Sequence, residues 1–303
     1  MQKVAVTGAS GFIGQNLCAL LKGRGHSVLE LDLPGNDVTD TGKLTELLAN
    51  FSPVALYHLA GQASVPRSWE NPLETFRVNS GGTASMLEAV RRSGIRMRVL
   101  VVSSASVYDG SALRSPADES MPPDPSSPYG SSKLIAEQVT HAYVSQYGLD
   151  ATIVRPFNVI GRGQSPEYVV PAIARRVLLA CSRNEGFIEI GSVSSVRDFV
   201  DVRDAVRAME SALTTGASGK VYNICSGVGT SILDIASRLV ALTGVAITLR
   251  PVGSLQRMHD RSYNVGNPSL AHWELGWERR VTLDESLSNV LEEWKGRTAP
   301  SEG

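Results

Sequence analysis

Tyr129 and Lys133 stand four residues apart, a spacing that puts both side chains on one face of a helix. Of the eight tyrosines in the chain, Tyr129 alone has a lysine four positions on. An ammonium beside a phenol favours the phenolate, so the pair is expected to bring a group that ordinarily titrates near ~10 down toward neutrality. A phenol tuned in this way can pass a proton to or from a carbinol oxygen while a hydride moves at the adjoining carbon. Upstream, Ser103-Ser104-Ala105-Ser106-Val107-Tyr108 offers three hydroxyls that could bind the same oxygen and stabilise charge on it. Standing alone, the tyrosine–lysine pair would read as an ordinary surface pair on a helix. Its partner signal is at the N-terminus.

There, Thr7-Gly8-Ala9-Ser10-Gly11-Phe12-Ile13-Gly14 follows the apolar run Val4-Ala5-Val6. Glycines at 8, 11 and 14 let the turn tighten, let backbone N–H groups approach a pyrophosphate, and let the next helix pack close to its strand. Ser10, Phe12 and Ile13 lie where the helix N-terminus would present free donors and partial positive charge to phosphates. The spacing is Gly-x-x-Gly-x-x-Gly, not the Gly-x-Gly-x-x-Gly of the simplest dinucleotide turns. Asp32 ends a second strand, where a carboxylate can accept both hydroxyls of an adenine ribose and repel a 2′-phosphate. That favours NAD(H), with NADP(H) the second choice; the structural alternative is a turn-forming aspartate before Leu33-Pro34-Gly35. Asp37 and Val38 come next, within reach of an adenine edge, and Asp40 reads equally as a helix N-cap.

These residues need a frame. Short β-branched runs at 4–7, 27–32, 54–59, 98–103 and 151–155 alternate with helical patterns at 12–22, 43–50, 73–92 and 131–147. Strands alternating with helices predict right-handed βαβ units and a parallel sheet covered on both faces, with ligands beyond the carboxyl ends of its strands. After Pro156 the alternation loosens into elements at 167–180, 186–190, 200–213, 221–224, 233–243 and 284–294. Residues 1–156 are therefore expected to form a dinucleotide-binding domain. Residues 157–303 should form mainly a smaller substrate lobe, with segments exchanged between the two.

The 303 residues are 42% hydrophobic and 19% charged, with a net charge of −1. That is ordinary globular composition, and it speaks against nucleic-acid or anionic-membrane binding. An anionic substrate would have to be held by a few placed arginines. Cys18, Cys181 and Cys225 form no metal-ligand spacing, so no metal is expected, and an odd, sparse count suits a reducing cytoplasm. The apolar run after Lys3 is too short for a signal-peptide core, and no segment approaches the ~20 apolar residues of a membrane span.

Taken together the motifs resemble the extended short-chain dehydrogenase/reductase family, in its nucleotide-sugar branch. The resemblance covers nearly the whole chain: TGASGFIG, HLAGQASV from His58, Asn79 before Gly81-Gly82-Thr83, SSASVY from Ser103 and SPYGSSK from Ser127. It continues through RPFNVIGRGQ from Arg155, VRDFVDVRD from Val196 and YNICSG from Tyr222. It implies a Rossmann-type doubly wound α/β sheet with a smaller C-terminal lobe. By resemblance, Ser104, Tyr129 and Lys133 are the catalytic trio, Leu59, Ala60 and Asn79 line the cofactor, and Pro156 lies against the nicotinamide. Lys133 would also hold the nicotinamide ribose. Ser64 and Ser104 would meet the sugar, and Asn158, Arg197 and Arg257 the substrate's diphosphate, for which an arginine fork is well shaped. The family also pairs its 73–92 and 131–147 helices into a four-helix bundle between two subunits. In the second of these, Leu134, Ile135, Val139 and Ala142 supply apolar positions, a pattern that burial within one chain would also produce.

Dehydratases of this family carry an acid and a base directly after the catalytic hydroxyl, where this chain has Ala105 and Ser106. Elimination of water is therefore not expected. The C-terminal motifs look most like GDP-4-keto-6-deoxyhexose reductases, which make GDP-rhamnose or GDP-6-deoxytalose. The Ala105-Ser106 pair looks instead like nucleotide-hexose 4-epimerases, and Asp32 departs from those reductases that lack an acid there. GDP is the favoured nucleotide, ahead of UDP or dTDP. A non-catalytic redox sensor on the same fold commonly lacks the tyrosine–lysine pair, so the intact pair argues for an enzyme.

Overall fold

Val4, Ala5 and Val6 are all buried, as a strand covered on both faces requires. They lie in β1 (Lys3–Thr7), the first strand of a computed structural model that describes residues 1–110, 115–191, 193, 195–253 and 263–298. From it the chain runs through α1 (Phe12–Gly23), β2 (Ser27–Leu31), α2 (Thr41–Phe51) and β3 (Ala55–His58). Two short helices follow, α3 (Val65–Glu70) and α4 (Pro72–Phe76), then a π-helical turn (Arg77–Gly81) and α5 (Gly82–Ser93). β4 (Arg98–Val102), a 3-10 turn (Ala105–Tyr108), α6 (Pro128–Tyr147) and β5 (Asp150–Pro156) complete the first half.

The second half holds β6 (Asn158–Ile160), α7 (Val169–Ser182), β7 (Phe187–Ile190), β8 (Val196–Asp201) and α8 (Val202–Thr215). It continues with β9 (Val221–Ile224), β10 (Gly229–Ser231), α9 (Ile232–Thr243), β11 (Thr248–Pro251) and β12 (Tyr263–Asn264). α10 (Ser269–Leu275) and α11 (Leu283–Thr298) end it.

Six strands form one parallel sheet in the order β2-β1-β3-β4-β5-β9, a doubly wound Rossmann-type α/β fold. The chain leaves β1 toward β2 on one side and returns to β3 on the other, so the topological switch point lies between β1 and β3. Ligands of such sheets sit in that crevice. One face is covered by α1, α8 and α10, whose Leu17, Leu21, Met209 and Leu275 share a core with Val4, Val6 and Tyr57. The other is covered by α2, α5 and α6, with Leu44, Leu48, Met86 and Leu87 against Ala5, Leu56 and Val99. A separate core joins α7, α9 and α11 to β7 and β8. There β8 pairs with β6 and β12 in parallel and with β10 antiparallel. Thus α8, β9 and α10 come from the second half of the chain and pack with the first.

Three expected elements differ in kind. The helix expected over 73–92 is α4, a π turn and α5, because Pro72 opens a new helix and the extra residue around Asn79 widens the ladder. The element at 200–213 is a strand end followed by a helix, divided at Asp201, whose carboxylate caps the Arg203 N–H. α2 begins two residues early because Asp40 accepts from Lys43 N. The short strands β6, β10 and β12 carry no periodicity long enough to read.

Candidate active site

Glycine is required at two of the three turn positions. Gly8 has φ +70°, and a Cβ there would meet Ala60 N at 2.7 Å; one on Gly14 would meet Gly8 O at 2.1 Å. Gly8 lets the loops after β1 and β3 touch at the switch point, and Gly14 lets α1 press onto the turn. Gly11 has an ordinary φ of −69° and caps α1 without a side-chain bond. With Ser10 it is exposed, while Phe12 and Ile13 are half-buried behind it.

Asp32 follows β2 and accepts from Ser10 N at 2.6 Å and Leu33 N at 2.9 Å. Burial raises its pKa, but bonds from Ser10 and Leu33 outweigh this and hold the carboxyl below its usual range. An ionised carboxylate has about four acceptor positions, so two bonds leave room for ribose hydroxyls. The uncapped helix, the backbone approach at Gly8 and this ionised acid together fit a dinucleotide.

Asp37 has partners of its own within the chain. It accepts from Thr39 N and Oγ1, both at 2.9 Å, and faces Arg77 at 3.8 Å. Its neighbour Val38 is buried against Gly82, where a Cβ would come within 2.7 Å of Val38 Cγ1.

Leu59 and Ala60 leave β3 beside the turn. Leu59 N donates to Thr7 O and Ala60 N to Thr7 Oγ1, each at 3.2 Å. From Thr7 a polar chain runs beneath the site, and its proton order is forced. Thr83 donates to Asn79 O at 2.7 Å, so it must accept from His58 Nε2 at 3.1 Å. His58 Nδ1 then accepts from Thr7 at 2.8 Å. His58 is thus the neutral Nε2–H tautomer; burial first, and the Lys133 charge second, lower its pKa to about 3. Asn79 sits in the π turn with its amide fully engaged. Its oxygen accepts from Gln62 N at 2.8 Å, and its nitrogen donates to Gln62 O at 3.1 Å and Ser132 Oγ at 2.9 Å. Asn79 therefore shapes the loop wall at Gly61-Gln62 and fastens it to α6.

Ser127 caps α6 by accepting from Gly130 N, with Pro128 in the first turn, so the helix begins just before Tyr129. Gly130 brings this end against the 3-10 turn: a Cβ there would lie 2.5 Å from Ser106 O. The serines of this stretch differ in their partners. Ser103 Oγ donates to Glu137 at 2.5 Å, whereas Ser104 caps the 3-10 turn and is a hydrogen-bond neighbour of the Tyr129 phenol. Lys133 Nζ donates to Val102 O at 2.9 Å, and a Cβ on Gly61 would lie 3.5 Å from it. Pro156, buried, closes the end of β5.

The electrostatics depart from the expectation. Burial pushes the Tyr129 phenol up to about 12, against a lowering by Ser104, with Tyr168 and Asp109 adding to the rise. Burial likewise lowers Lys133 to about 8, opposed by Glu137. Desolvation of two neighbouring groups outweighs their spacing.

The substrate residues scatter more widely. Ser64 caps α3 through Arg67 N at 3.3 Å. Asn158 in β6 donates to Asp198 O at 2.9 Å, and Arg197 in β8 donates to its neighbour's carbonyl, Val196 O, at 3.0 Å. Arg257 lies outside the described residues. Sequence reasoning missed Glu137 and Arg155, paired through bonds of 2.8 and 2.6 Å and almost wholly buried. Charges inside the expected helix 131–147 and strand 151–155 were the available signal. Among the described residues no group of three or more acids, histidines and cysteines is placed to hold a metal ion. No described helix is long and apolar enough to cross a membrane.

A glycine turn at the switch point and a Ser–Tyr–Lys cluster across the same sheet edge mark a class of dinucleotide-dependent enzymes. A model of the NAD dependent epimerase/dehydratase family matches residues 4–225. GDP-6-deoxy-D-mannose reductase of Pseudomonas aeruginosa is 31% identical over 299 residues, 98% of either chain. UDP-glucose 4-epimerase of Mycolicibacterium smegmatis is 33% identical over 318 residues, 98% of this chain and 99% of that one. The solved structure of RMD from Pseudomonas aeruginosa complexed with NADPH has a TM-score of 0.89 at 32% identity, covering 98% of this chain and 100% of that one. The chain belongs to the NAD-dependent epimerase/dehydratase family and is an enzyme of that family.

Proposed function

We propose that the enzyme reduces the C4 ketone of a nucleotide-linked 4-keto-6-deoxyhexose to an alcohol, with a GDP-linked sugar the favoured substrate and GDP-rhamnose or GDP-6-deoxytalose the product. The observation that carries this reading is a buried, protonated phenol at Tyr129 with Ser104 beside it and Lys133 one turn on. A reduced nicotinamide, when bound, would be the source of the hydride for C4. Tyr129 gives its proton to the ketone oxygen, and a phenol held near 12 is in the protonated state this direction needs. Ser104 polarises that oxygen by hydrogen bonding. Lys133 holds the nicotinamide ribose, while Gly8–Gly14, Asp32, Leu59, Ala60 and Pro156 shape the rest of the dinucleotide cleft. Asn158, Arg197 and Arg257 meet the substrate's diphosphate. Similarity to GDP-6-deoxy-D-mannose reductase over nearly the whole chain supports the choice of sugar.

Asp32 favours a second reading, a 4-epimerase that keeps its NAD. An ionised carboxylate at the ribose disfavours a 2′-phosphate, whereas the similar structure of RMD is complexed with NADPH. The two are separated by incubating GDP-, UDP- and dTDP-linked sugars with NADH or NADPH. Stoichiometric cofactor oxidation with a 4-keto-6-deoxy sugar is expected. Interconversion of hexose epimers without added cofactor selects the epimerase.

A homodimer is part of the same proposal, with residues 1–156 as the dinucleotide unit. Leu134 and Val139 pack inside the chain, while Ile135 on α6 and Leu73 on the adjoining α4 remain exposed at 38% and 85%. A second copy would cover that face.

A further inference from the structure

Behind the Tyr129–Lys133 face of α6 lies a charged unit that the chemistry above does not use. Glu137 follows Lys133 by one helical turn and is 2% exposed. Its two oxygens take Arg155 Nε at 2.8 Å and Nη2 at 2.6 Å, and one also accepts from Ser103. Arg155 Nη1 reaches Tyr108 at 2.5 Å, which in turn donates to Asn223 at 3.0 Å. Each member adjoins a working part. Ser103 precedes Ser104, Tyr108 ends the 3-10 turn that Ser104 caps, and Arg155 precedes Pro156.

We propose that Glu137 and Arg155 are positioning residues for the reaction: Glu137 is the counter-ion that keeps Lys133 charged, and Arg155 fixes that carboxylate while tying α6 to the ends of β4 and β5. The inference rests on the reading of Lys133 given above. A buried ion pair is a weak source of stability, so its placement next to the lysine calls for another explanation. At the end of the 3-10 turn packed on α6, Asp109 accepts from Asn264 Nδ2 at 2.8 Å and acts on Tyr129. Among the described residues, the other groups facing Lys133 carry no charge. They are the Val102 carbonyl from β4, neutral His58 from β3, the Asn79 amide behind Gly61, and protonated Tyr129. On the helices packed against α6, Glu74 pairs with Arg77 and Glu88 with Arg91 and Arg92, at or near the surface. Glu88 meets α6 through Tyr143. Arg67 and Glu70 lie on α3. Glu119 bonds Asn223 N at the far end of the network. Glu137 is the group that opposes burial at Lys133, and bidentate pairing with Arg155 fixes where its two oxygens lie.

The test is the pH profile of turnover and of dinucleotide affinity for wild type, Glu137→Gln, and the double variant Glu137→Gln/Arg155→Met. The double variant removes both members of the Glu137–Arg155 pair, so neither is left facing a missing partner, and it keeps an acceptor for Ser103. In both variants the basic limb should move about one pH unit toward neutrality, so that near pH 8 the KM for the dinucleotide rises about fivefold. A folded variant, by circular dichroism and gel filtration, with the wild-type profile overturns the proposal. Tyr129→Phe and Lys133→Met run alongside: full turnover in those defeats the reading of the site itself, whereas lost turnover in them with unmoved Glu137 profiles defeats only this inference.

Discussion

At neutral pH the Tyr129 hydroxyl carries its proton, since burial moves it to about 12 and the Ser104 bond recovers only part of that. In the absence of dinucleotide it is an acid in waiting. Tyr129→Phe removes that proton while leaving the ring and its packing, so dinucleotide affinity should stay within about twofold and turnover should fall roughly 10²–10⁴-fold. Stopped-flow cofactor oxidation beside fluorescence titration measures both, and a phenylalanine variant with near wild-type turnover would remove Tyr129 from the chemistry. The pair's place on one helix face was legible from spacing alone. Its electrostatics were not, because a sequence shows which groups neighbour one another but not how dry their pocket is. Ser104 is separable from Ser103 in the sequence only by resemblance, because the partner that engages the Ser103 hydroxyl, Glu137, lies 34 residues away.

At the scale of elements, the five strands of the first half, with α1, α2, α5 and α6, were readable because buried parallel strands and amphipathic helices leave strong patterns. The π turn at Arg77–Gly81 was not, since widening a helix by one residue changes hydrogen bonding and not composition. That turn places Asn79 so that its backbone, through Thr83, ends the polar chain from β1 through His58. Every proton in the chain is assigned, so charging His58 would set two donors against Thr7 and break it. The folded-state pKa is depressed from 6.5 to about 3. Between those limits the unfolded chain binds a proton that the folded chain does not, so stability is lost as pH falls through the window. From pH 6.5 to 4.5 this amounts to on the order of 2 kcal/mol at ~1.4 kcal/mol per unit. Urea unfolding of wild type and His58→Asn at both pH values should show this extra loss in the wild type alone. Equal losses in the two proteins would rule it out.

On the scale of the whole molecule, α5 and α6 pack on each other and on the sheet, leaving Ile135, Leu73 and the half-exposed Trp69 as outward apolar side chains. If a second subunit covers them, light scattering at micromolar concentration gives twice 32.4 kDa. Ile135→Glu should then shift the protein toward monomer with its secondary structure intact. A wild-type monomer would refute the assembly. In the sequence, strand–helix alternation loosens after Pro156. The return of α8, β9 and α10 to the first half was foreseeable only as a general exchange, because a parallel edge strand of four residues has no signature naming its neighbour. This return has a consequence during synthesis. β5 ends at Pro156, but its outer partner β9 begins at Val221, about 65 residues later, or roughly 3–13 s at ribosomal rates. Through that interval the nascent sheet presents an unfilled backbone ladder of apolar residues, so the growing polypeptide is most in need of a chaperone between those two points.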